Sequence, residues 1–220
     1  MTLSGEMPSV SEGNYEFYRR IQIPIFQHYA KLTGMDTGKD IDIIYPMIEK
    51  STLVVELGAG YGRSVQFLLQ KGFCGRLVLV ERVPEMIEYL KQAFPPLEIL
   101  QTDIRYLQLP FQADVLLWLW SGILELSRQE QTQTVQQLYK NLKKGGLLFI
   151  EAPYQRIQVV GSHTSEKLIK LETEWGTLTA YLPSPEEVES DARLAGFSSF
   201  KKILYRSQTD LERVIYLLTK

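Results

Sequence analysis

Three glycines at alternate positions follow an apolar run, and their spacing says most about the chemistry of this chain. Residues 52–63 read TLVVELGAGYGR. Glycine is needed where a chain turns sharply off a strand and where its backbone must approach a ligand, because a Cβ would clash there. The turn formed by Gly58, Ala59, Gly60 and Gly62 therefore predicts a nucleotide-type cofactor site.

Carboxylates follow the next two apolar runs. Glu81 ends the run 76–80, about where dinucleotide folds place a ribose-binding acid, and its two oxygens can accept both hydroxyls of a vicinal diol. Asp103 follows the third run. Each has an alternative interpretation: Glu81 as a solvated charge at a strand end, and Asp103 as the N-cap of a turn at residues 105–107. The two roles of Asp103 are compatible.

Alternating helical and strand patterns must position these groups. The first strand, Leu53–Leu57, leads through the glycines into a helix over Arg63–Gln70. Pro84 opens the helix after Glu81, and a capping box at Ser184 begins a helix that ends near Ala195. Further strands are predicted at 98–100, 113–119, 147–152, 197–205 and 212–219, with a helix at 128–142 that the glycines of Lys143–Gly146 terminate. This order predicts an α/β fold.

An acidic residue followed by Gly-x-Gly-x-Gly resembles the first motif of class I, Rossmann-like S-adenosylmethionine-dependent methyltransferases. Here the motif is Glu56, Gly58, Gly60 and Gly62. The resemblance extends over residues 40–220, because Lys-x-Gly-Gly before an apolar strand and a final strand pair are also features of that family. It implies a doubly wound, seven-stranded, mostly parallel sheet with a C-terminal antiparallel strand pair. A dinucleotide fingerprint would require a third glycine at position 63, which is Arg63.

The resemblance also implies a role for each residue around the cofactor, S-adenosylmethionine, whose product is S-adenosylhomocysteine. Glu56 would orient the amino-acid end of the cofactor, and Glu81, with Arg82 beside it, would fix the ribose. Met86 and Ile104 would lie near the adenine, and Asp103 would accept a hydrogen bond from its amino group. Trp118 or Trp120 would form a wall of the pocket. Met86 and the two tryptophans could instead be ordinary core residues.

Two segments lie outside this cofactor frame, and we expect them to select the methyl acceptor. Residues 1–39 form an aromatic-rich helical extension interrupted by Pro24, which could be a lid or simply a packed amphipathic helix. Residues 153–182 form an insertion with a hairpin centred on Trp175 and Gly176. The candidate catalytic residues are Tyr15 and Tyr18 in the first segment and His163 in the second. His163 could be a general base, although a lone loop histidine is usually just solvated.

Composition limits the remaining possibilities. The 220 residues, 45% of them hydrophobic, suit a single α/β domain, and the net charge of -2 gives no reason to expect nucleic acid as a partner. No Cys/His cluster has the spacing of a metal site, and no apolar run reaches the 18 residues of a membrane span. The single cysteine, Cys74, is expected to be buried and excludes an internal disulfide. We therefore expect a soluble protein of a reducing compartment, most simply the cytoplasm.

The sequence thus predicts methyl transfer from S-adenosylmethionine to an oxygen or nitrogen of a small molecule. No Asn-Pro-Pro-Tyr sequence follows the fourth strand, which argues against the enzymes that methylate DNA or glutamine amino groups. Two alternatives remain open at this stage: a nicotinamide-dependent oxidoreductase, and a protein that binds the adenosyl ligand without catalysis. The acceptor and the oligomeric state are beyond the sequence.

Overall fold

The chain forms a mostly parallel central sheet with helices on both faces and a smaller sheet beside it. The computed structural model describes residues 10–154, 162–165 and 167–220, and side-chain burial is described for 10–154 and 167–220. The helices are α1 (Val10–Arg20), α2 (Ile23–Leu32), α3 (Lys39–Ile48), α4 (Arg63–Gln70), α5 (Pro84–Ala93), α6 (Arg128–Asn141) and α7 (Pro185–Ala195). The strands are β1 (Leu53–Leu57), β2 (Arg76–Glu81), β3 (Glu98–Gln101), β4 (Ala113–Trp118), β5 (Leu142–Pro153), β6 (Ser162–Ser165), β7 (Leu168–Thr173), β8 (Gly176–Tyr181), β9 (Ser199–Arg206) and β10 (Glu212–Thr219).

The central sheet has seven strands in the order β3-β2-β1-β4-β5-β10-β9. The first five pair in parallel, whereas β10 is antiparallel to both β5 and β9. The predicted fold class, including the C-terminal antiparallel pair, is confirmed. The strand order reverses between β1 and β4, and such a switch point opens a crevice at the carboxyl ends of the strands.

Two apolar layers cover the sheet, which explains why its inner strands are nearly all apolar. On β1, Val54 packs with α3, α4 and α5, while Val55 and Leu57 face the layer that includes α6 and α7. All five residues of β1 are buried. A strand covered on both faces is held rigidly, and the glycine turn that follows β1 therefore starts from a fixed point.

Most element boundaries agree with the sequence predictions. The start of β5 and the exposure of Cys74 differ from them. The strand β5 begins at Leu142, directly after α6, and runs through the lysine-glycine segment that was predicted to separate helix from strand. Gly145 has a positive φ of 76°, and the β4–β5 register shifts between Ala113 and Val115. The glycines therefore form an irregularity within the strand. Cys74 is exposed, contrary to prediction, because its neighbour Phe73 takes the buried position.

The N-terminal helices and the smaller sheet pack together. Ile23 and Pro24 begin α2 after a short break, as the proline predicted, and the hairpin around Trp175 and Gly176 forms from β7 and β8. The third strand of this sheet, β6, was not predicted. Phe17 of α1 and Ile21, which directly follows that helix, lie in one apolar cluster with Trp175. Among the helices of the described residues, none is long and apolar enough to span a membrane.

Candidate functional site

A cavity opens at the carboxyl ends of β1, β2 and β4, at the switch point of the sheet. It is walled by the glycine turn, by the segments that follow β2, β3 and β4, and by the N-terminal helices. The lining residues are Tyr18, Phe26, Leu57, Gly58, Gly60, Val80, Glu81, Arg82, Val83, Met86, Thr102, Asp103, Ile104, Trp118, Gly122, Glu125 and Leu126. The structure thus brings most of the predicted cofactor residues to one place.

The glycine turn takes a backbone conformation that other residues rarely adopt. The φ angles of Gly58, Gly60 and Gly62 are 69°, 55° and 82°. A Cβ on Gly62 would lie 2.3 Å from Cε2 of Phe94, whereas a Cβ on Gly58 would meet no atom within 4 Å. Gly62 is therefore required for packing, and Gly58 leaves open space beside the cavity. Ala59 is buried in the same turn, where its backbone N–H donates to the carbonyl of Val80.

The carboxylate of Glu81 is buried at the end of β2 and is held by backbone donors. It accepts hydrogen bonds from the N–H groups of Gly60 (2.8 Å), Arg82 (2.7 Å) and Val83 (2.9 Å). Burial raises the pKa of Glu81, and these three hydrogen bonds oppose the rise. The interpretation of Glu81 as a solvated charge is wrong, since only 6% of the residue is exposed. Since a carboxylate has about four lone-pair sites, one site remains, on Oε2, for a further donor.

Asp103 is the centre of an ion-pair cluster next to Glu81. It caps the 3₁₀ turn Ile104–Tyr106 by accepting from the N–H of Arg105, which confirms the predicted N-cap. Its carboxylate also accepts from the Arg105 guanidinium at 2.8 Å and from that of Arg82 at 3.0 Å. Partial burial opposes ionisation of Asp103, but the hydrogen bonds from Arg105 and the charge of Arg82 outweigh it and lower the pKa.

Glu56 and Arg63 form a buried polar group behind the glycine turn. The guanidinium of Arg63 makes two hydrogen bonds to Asp40, at 3.0 and 2.5 Å, and a third to the carbonyl of Met35 at 2.9 Å. Burial raises the pKa of Glu56 to about 8, despite the nearby charge of Arg63. Its Oε2 atom is buried without a hydrogen-bond partner among the described residues. Asp40 had no sequence signal, because it joins Arg63 from a separate helix, α3.

An aromatic cluster packs over the glycine turn. The rings of Phe26 and Trp120 stack with centroids 4.8 Å apart, and Tyr61 lies edge-on to both. Cε1 of Phe26 lies 3.1 Å from where a Cβ of Gly60 would be. Trp118 is fully buried and lines the cavity, so its core and wall roles coincide. Met86 likewise belongs to a buried apolar cluster and lines the cavity.

The segment after β4 carries unusual backbone strain. Trp120 and Ser121 have φ angles of 47° and 66°, a left-handed conformation that is uncommon for residues other than glycine. Such strain is maintained only where surrounding contacts enforce it, and it occurs preferentially at functional sites. Here the enforcing contacts are hydrogen bonds from the N–H of Ser121 to the carbonyl of Glu151 and from Arg213 to the hydroxyl of Ser121.

Of the three predicted catalytic residues, Tyr15 and Tyr18 have side chains that the structure describes, and the two lie in different surroundings. Tyr18 lines the cavity and its hydroxyl donates a hydrogen bond to Glu125, a residue the sequence analysis missed. Burial is the main cause that raises the pKa of Glu125 to about 7. Tyr15 instead packs against Arg82, with the guanidinium 5.2 Å from its ring centroid. In β6, the backbone of His163 pairs with that of Lys170 in β7. The side chain of His163 lies outside the described residues, as do residues 155–161 and 166.

Comparisons with known proteins agree with this architecture. The sequence model of a methyltransferase domain matches residues 54–146, from β1 to the start of β5. A curated relative, trans-aconitate 2-methyltransferase of Azoarcus sp. (strain BH72), is 28% identical over 134 residues. That match covers 58% of this chain and 49% of the relative, so the chain aligns with only about half the length of the relative.

Solved structures resemble the chain over nearly its full length. An amino pentose methyltransferase from Micromonospora echinaspora with bound S-adenosylmethionine has a TM-score of 0.69 and 14% identity, and the match covers 90% of this chain and 97% of the other. The 1,6-didemethyltoxoflavin-N1-methyltransferase of Burkholderia thailandensis, with 1,6-didemethyltoxoflavin and S-adenosylhomocysteine bound, has a TM-score of 0.67 and 12% identity. It covers 99% of this chain and 93% of the other. At these identities the likeness concerns the fold.

Proposed function

We propose that this chain, which carries a class I, Rossmann-like S-adenosylmethionine-dependent methyltransferase domain, transfers a methyl group to an oxygen or nitrogen of a small molecule. The observation that supports this most is the convergence of the glycine turn and the buried carboxylate of Glu81 on one cavity at the switch point of the sheet. That cavity also contains Asp103 and Met86, at the positions where the adenine is expected.

The residues present fit S-adenosylmethionine. The open space at Gly58 admits a ligand against the backbone, and the remaining lone-pair site of Glu81, on Oε2, can accept a hydrogen bond from a ribose hydroxyl. Glu56 is in β1, two residues before Gly58. Because its Oε2 atom is buried and has no described partner, a bound ammonium would supply the missing donor. We therefore assign Glu56 to the amino-acid end, Glu81 to the ribose, and Met86, Asp103 and Ile104 to the adenine.

When bound, S-adenosylmethionine supplies an activated methyl group on its sulfonium, so the chain contributes mainly by positioning. The fixed glycine turn and the backbone-held Glu81 orient the donor without rearrangement of the turn or of that carboxylate. The rings of Phe26, Tyr61 and Trp120 exclude water from the side of the glycine turn that they cover. Trp118 forms part of the cavity wall.

We assign the N-terminal extension, residues 1–39, the role of a lid. Within it, α1 lies across the end of β2, where Arg82 donates to the hydroxyl of Ser11 at 2.9 Å and to its carbonyl at 2.9 Å. Phe26 of α2 sits directly on the glycine turn. In this position the extension covers the cavity, so cofactor entry requires it to move. Residues 40–220 are then the methyltransferase domain, with 153–182 as an insertion beside the lid.

The acceptor is proposed to be a small molecule because Tyr18 and Phe26 of the proposed lid line the cavity and narrow its access. Two of the similar structures act, by their names, on an amino pentose and on 1,6-didemethyltoxoflavin, which are small molecules. The net charge of -2 offers no general attraction for nucleic acid. The exposed free thiol of Cys74 suits a reducing compartment, and we propose the cytoplasm.

The direct test is formation of S-adenosylhomocysteine from S-adenosylmethionine across a panel of small amines and alcohols. The chain should turn over at least one of them, and Glu81→Ala should lose that activity together with cofactor binding. Tight binding of S-adenosylmethionine without turnover on a broad metabolite panel would support a non-catalytic binding protein instead. Binding of NADH alone would indicate an oxidoreductase.

A further inference from the structure

The carboxylate of Glu125 lines the cavity but has no role in the proposed binding of the cofactor. Glu125 ends the 3₁₀ turn Gly122–Glu125 after β4, and its partly buried side chain lines the cavity between α1 and the adenine end. Its described side-chain partner is the hydroxyl of Tyr18, a neutral group. The other two lining carboxylates are already neutralised or held: Asp103 by two arginines, and Glu81 by three backbone donors.

The lining of the cavity provides few positive charges that could bind an anionic acceptor. Among the lining residues that the structure describes, Arg82 is the one cation, and it is committed to Asp103 and to both oxygens of Ser11. The aromatic faces of Tyr18 and Phe26 line the same space and favour a cation over an anion. An acceptor that enters between α1 and the segment after β4 therefore meets a carboxylate and aromatic rings.

We infer that the acceptor is an amine and that Glu125 binds its ammonium form and removes the proton that blocks methylation, with Tyr18 positioning the carboxylate. This inference rests on the proposed methyltransferase function. An ammonium nitrogen has no free lone pair. When one N–H proton moves to the carboxylate oxygen, the nitrogen keeps the electron pair of that bond and Glu125 becomes a neutral carboxylic acid, which later returns the proton to solvent.

The electrostatic surroundings suit a base that works near neutral pH. Burial raises the pKa of Glu125 to about 7, the hydrogen bond from Tyr18 and the charge of Arg82 oppose the rise, and Glu81 and Asp103 add to it. These are the charged and titratable groups that face Glu125 from α1, from the end of β2 and the residue after it, and from the segment that follows β3. A general base is most effective when its pKa is close to the working pH.

The test uses three probes that share one ring: benzylamine, benzyl alcohol and benzoate. Calorimetry with the full chain saturated with S-adenosylhomocysteine should show benzylamine binding at least about tenfold more tightly than benzyl alcohol at about pH 8, where Glu125 is ionised. The preference should fall toward about pH 6 as the carboxylate takes up a proton. Glu125→Gln should lose both the preference and its pH dependence, whereas Glu16→Gln, on the exposed side of α1, should keep them.

Tyr18→Phe provides a second test, because a purely structural role of Tyr18 would leave the pH dependence of amine binding unchanged. Because the hydroxyl of Tyr18 lowers the pKa of Glu125, its removal should shift the midpoint of the pH dependence upward. Binding of S-adenosylhomocysteine by each variant shows that it is folded, and failure of the wild-type chain to bind it would refute the proposed function itself. With that binding intact, equal or undetectable binding of the three probes, or an unchanged preference in Glu125→Gln, would overturn the inference.

Discussion

The side-chain amide of Asn14 pairs with both backbone groups of Thr179, joining the first helix to the middle of β8. Its Nδ2 donates to the Thr179 carbonyl at 2.7 Å, and its Oδ1 accepts from the Thr179 N–H at 2.8 Å. Nδ2 also lies 3.2 Å from the carbonyl of Glu125. Asn14 is fully buried, so one side chain ties the proposed lid to the insertion and to the segment after β4.

Asn14→Ala should loosen the N-terminal helix. The change leaves the partly buried N–H and C=O groups of Thr179 without Asn14 as their partner, and each such loss costs up to about 1–3 kcal/mol. Hydrogen exchange of residues 10–20 should become faster than in the wild type, while exchange in β1 and β4 stays slow. Glu16→Ala is the control on the same helix, because its ion pairs are exposed. Equal exchange in the two variants would show that the hydrogen bonds of Asn14 do not hold the N-terminal helix in place.

Two ion pairs of the chain should differ strongly in their effect on stability. Arg63 and Asp40 are 4% and 0% exposed, whereas Arg76 and Glu98 are 49% and 42% exposed. Asp40→Ala leaves the guanidinium of Arg63 buried without its partner and should lower the free energy of unfolding by about 3–5 kcal/mol. Glu98→Ala should cost less than about 1 kcal/mol. Urea denaturation of both variants measures the difference, and similar losses would contradict the account.

Stability should fall as the pH rises through the range in which Glu56 titrates. Burial raises its pKa in the folded chain from 4.5 to about 8, so the folded state holds a proton that the unfolded state has lost. The free energy of unfolding therefore decreases with pH between these values. Glu56→Gln cannot ionise and should show a smaller slope in denaturation curves across this range. An unchanged slope would mean that Glu56 is ionised in the folded chain.

Phe26→Ala should speed cofactor association. The ring lies on the glycine turn and stacks on Trp120, so it must move before a ligand reaches Gly60. We expect stopped-flow tryptophan fluorescence to show faster association of S-adenosylhomocysteine, by up to about tenfold. Leu32→Ala, at an exposed position of the same helix, should leave the rate unchanged. If the two variants bind at the wild-type rate, Phe26 does not gate the site.

The sequence was sufficient to predict the core of strand, glycine turn and helix, because the patterns that specify these elements are local. Apolar runs covered on both faces, glycines at a turn and a capping box each act within a few residues, and β1, α4 and β10 begin and end where predicted. The boundary between α6 and β5 was misjudged because glycines that could end a helix also allow the irregular register with β4.

The contacts that complete the site depend on distant segments. Asp40 reaches Arg63 across 23 residues, and Asn14 reaches Thr179 across 165. Neither partner has a sequence pattern that marks the other. The left-handed conformations of Trp120 and Ser121 were equally unpredictable, because their residue types do not favour positive φ and the tertiary contacts of Ser121 enforce it. Glu125 could have been noticed as an acid shortly after β4, but its contact with Tyr18 required the fold.

The most direct test of the account is calorimetric titration of the purified chain with S-adenosylmethionine, S-adenosylhomocysteine and NADH, alongside Glu81→Ala and the surface control Glu98→Ala. The account predicts saturable binding of both adenosyl ligands to the wild type and to the control, and loss of most of that binding in Glu81→Ala. Full binding by Glu81→Ala would contradict the ribose assignment. Binding of NADH alone would contradict the methyltransferase proposal itself.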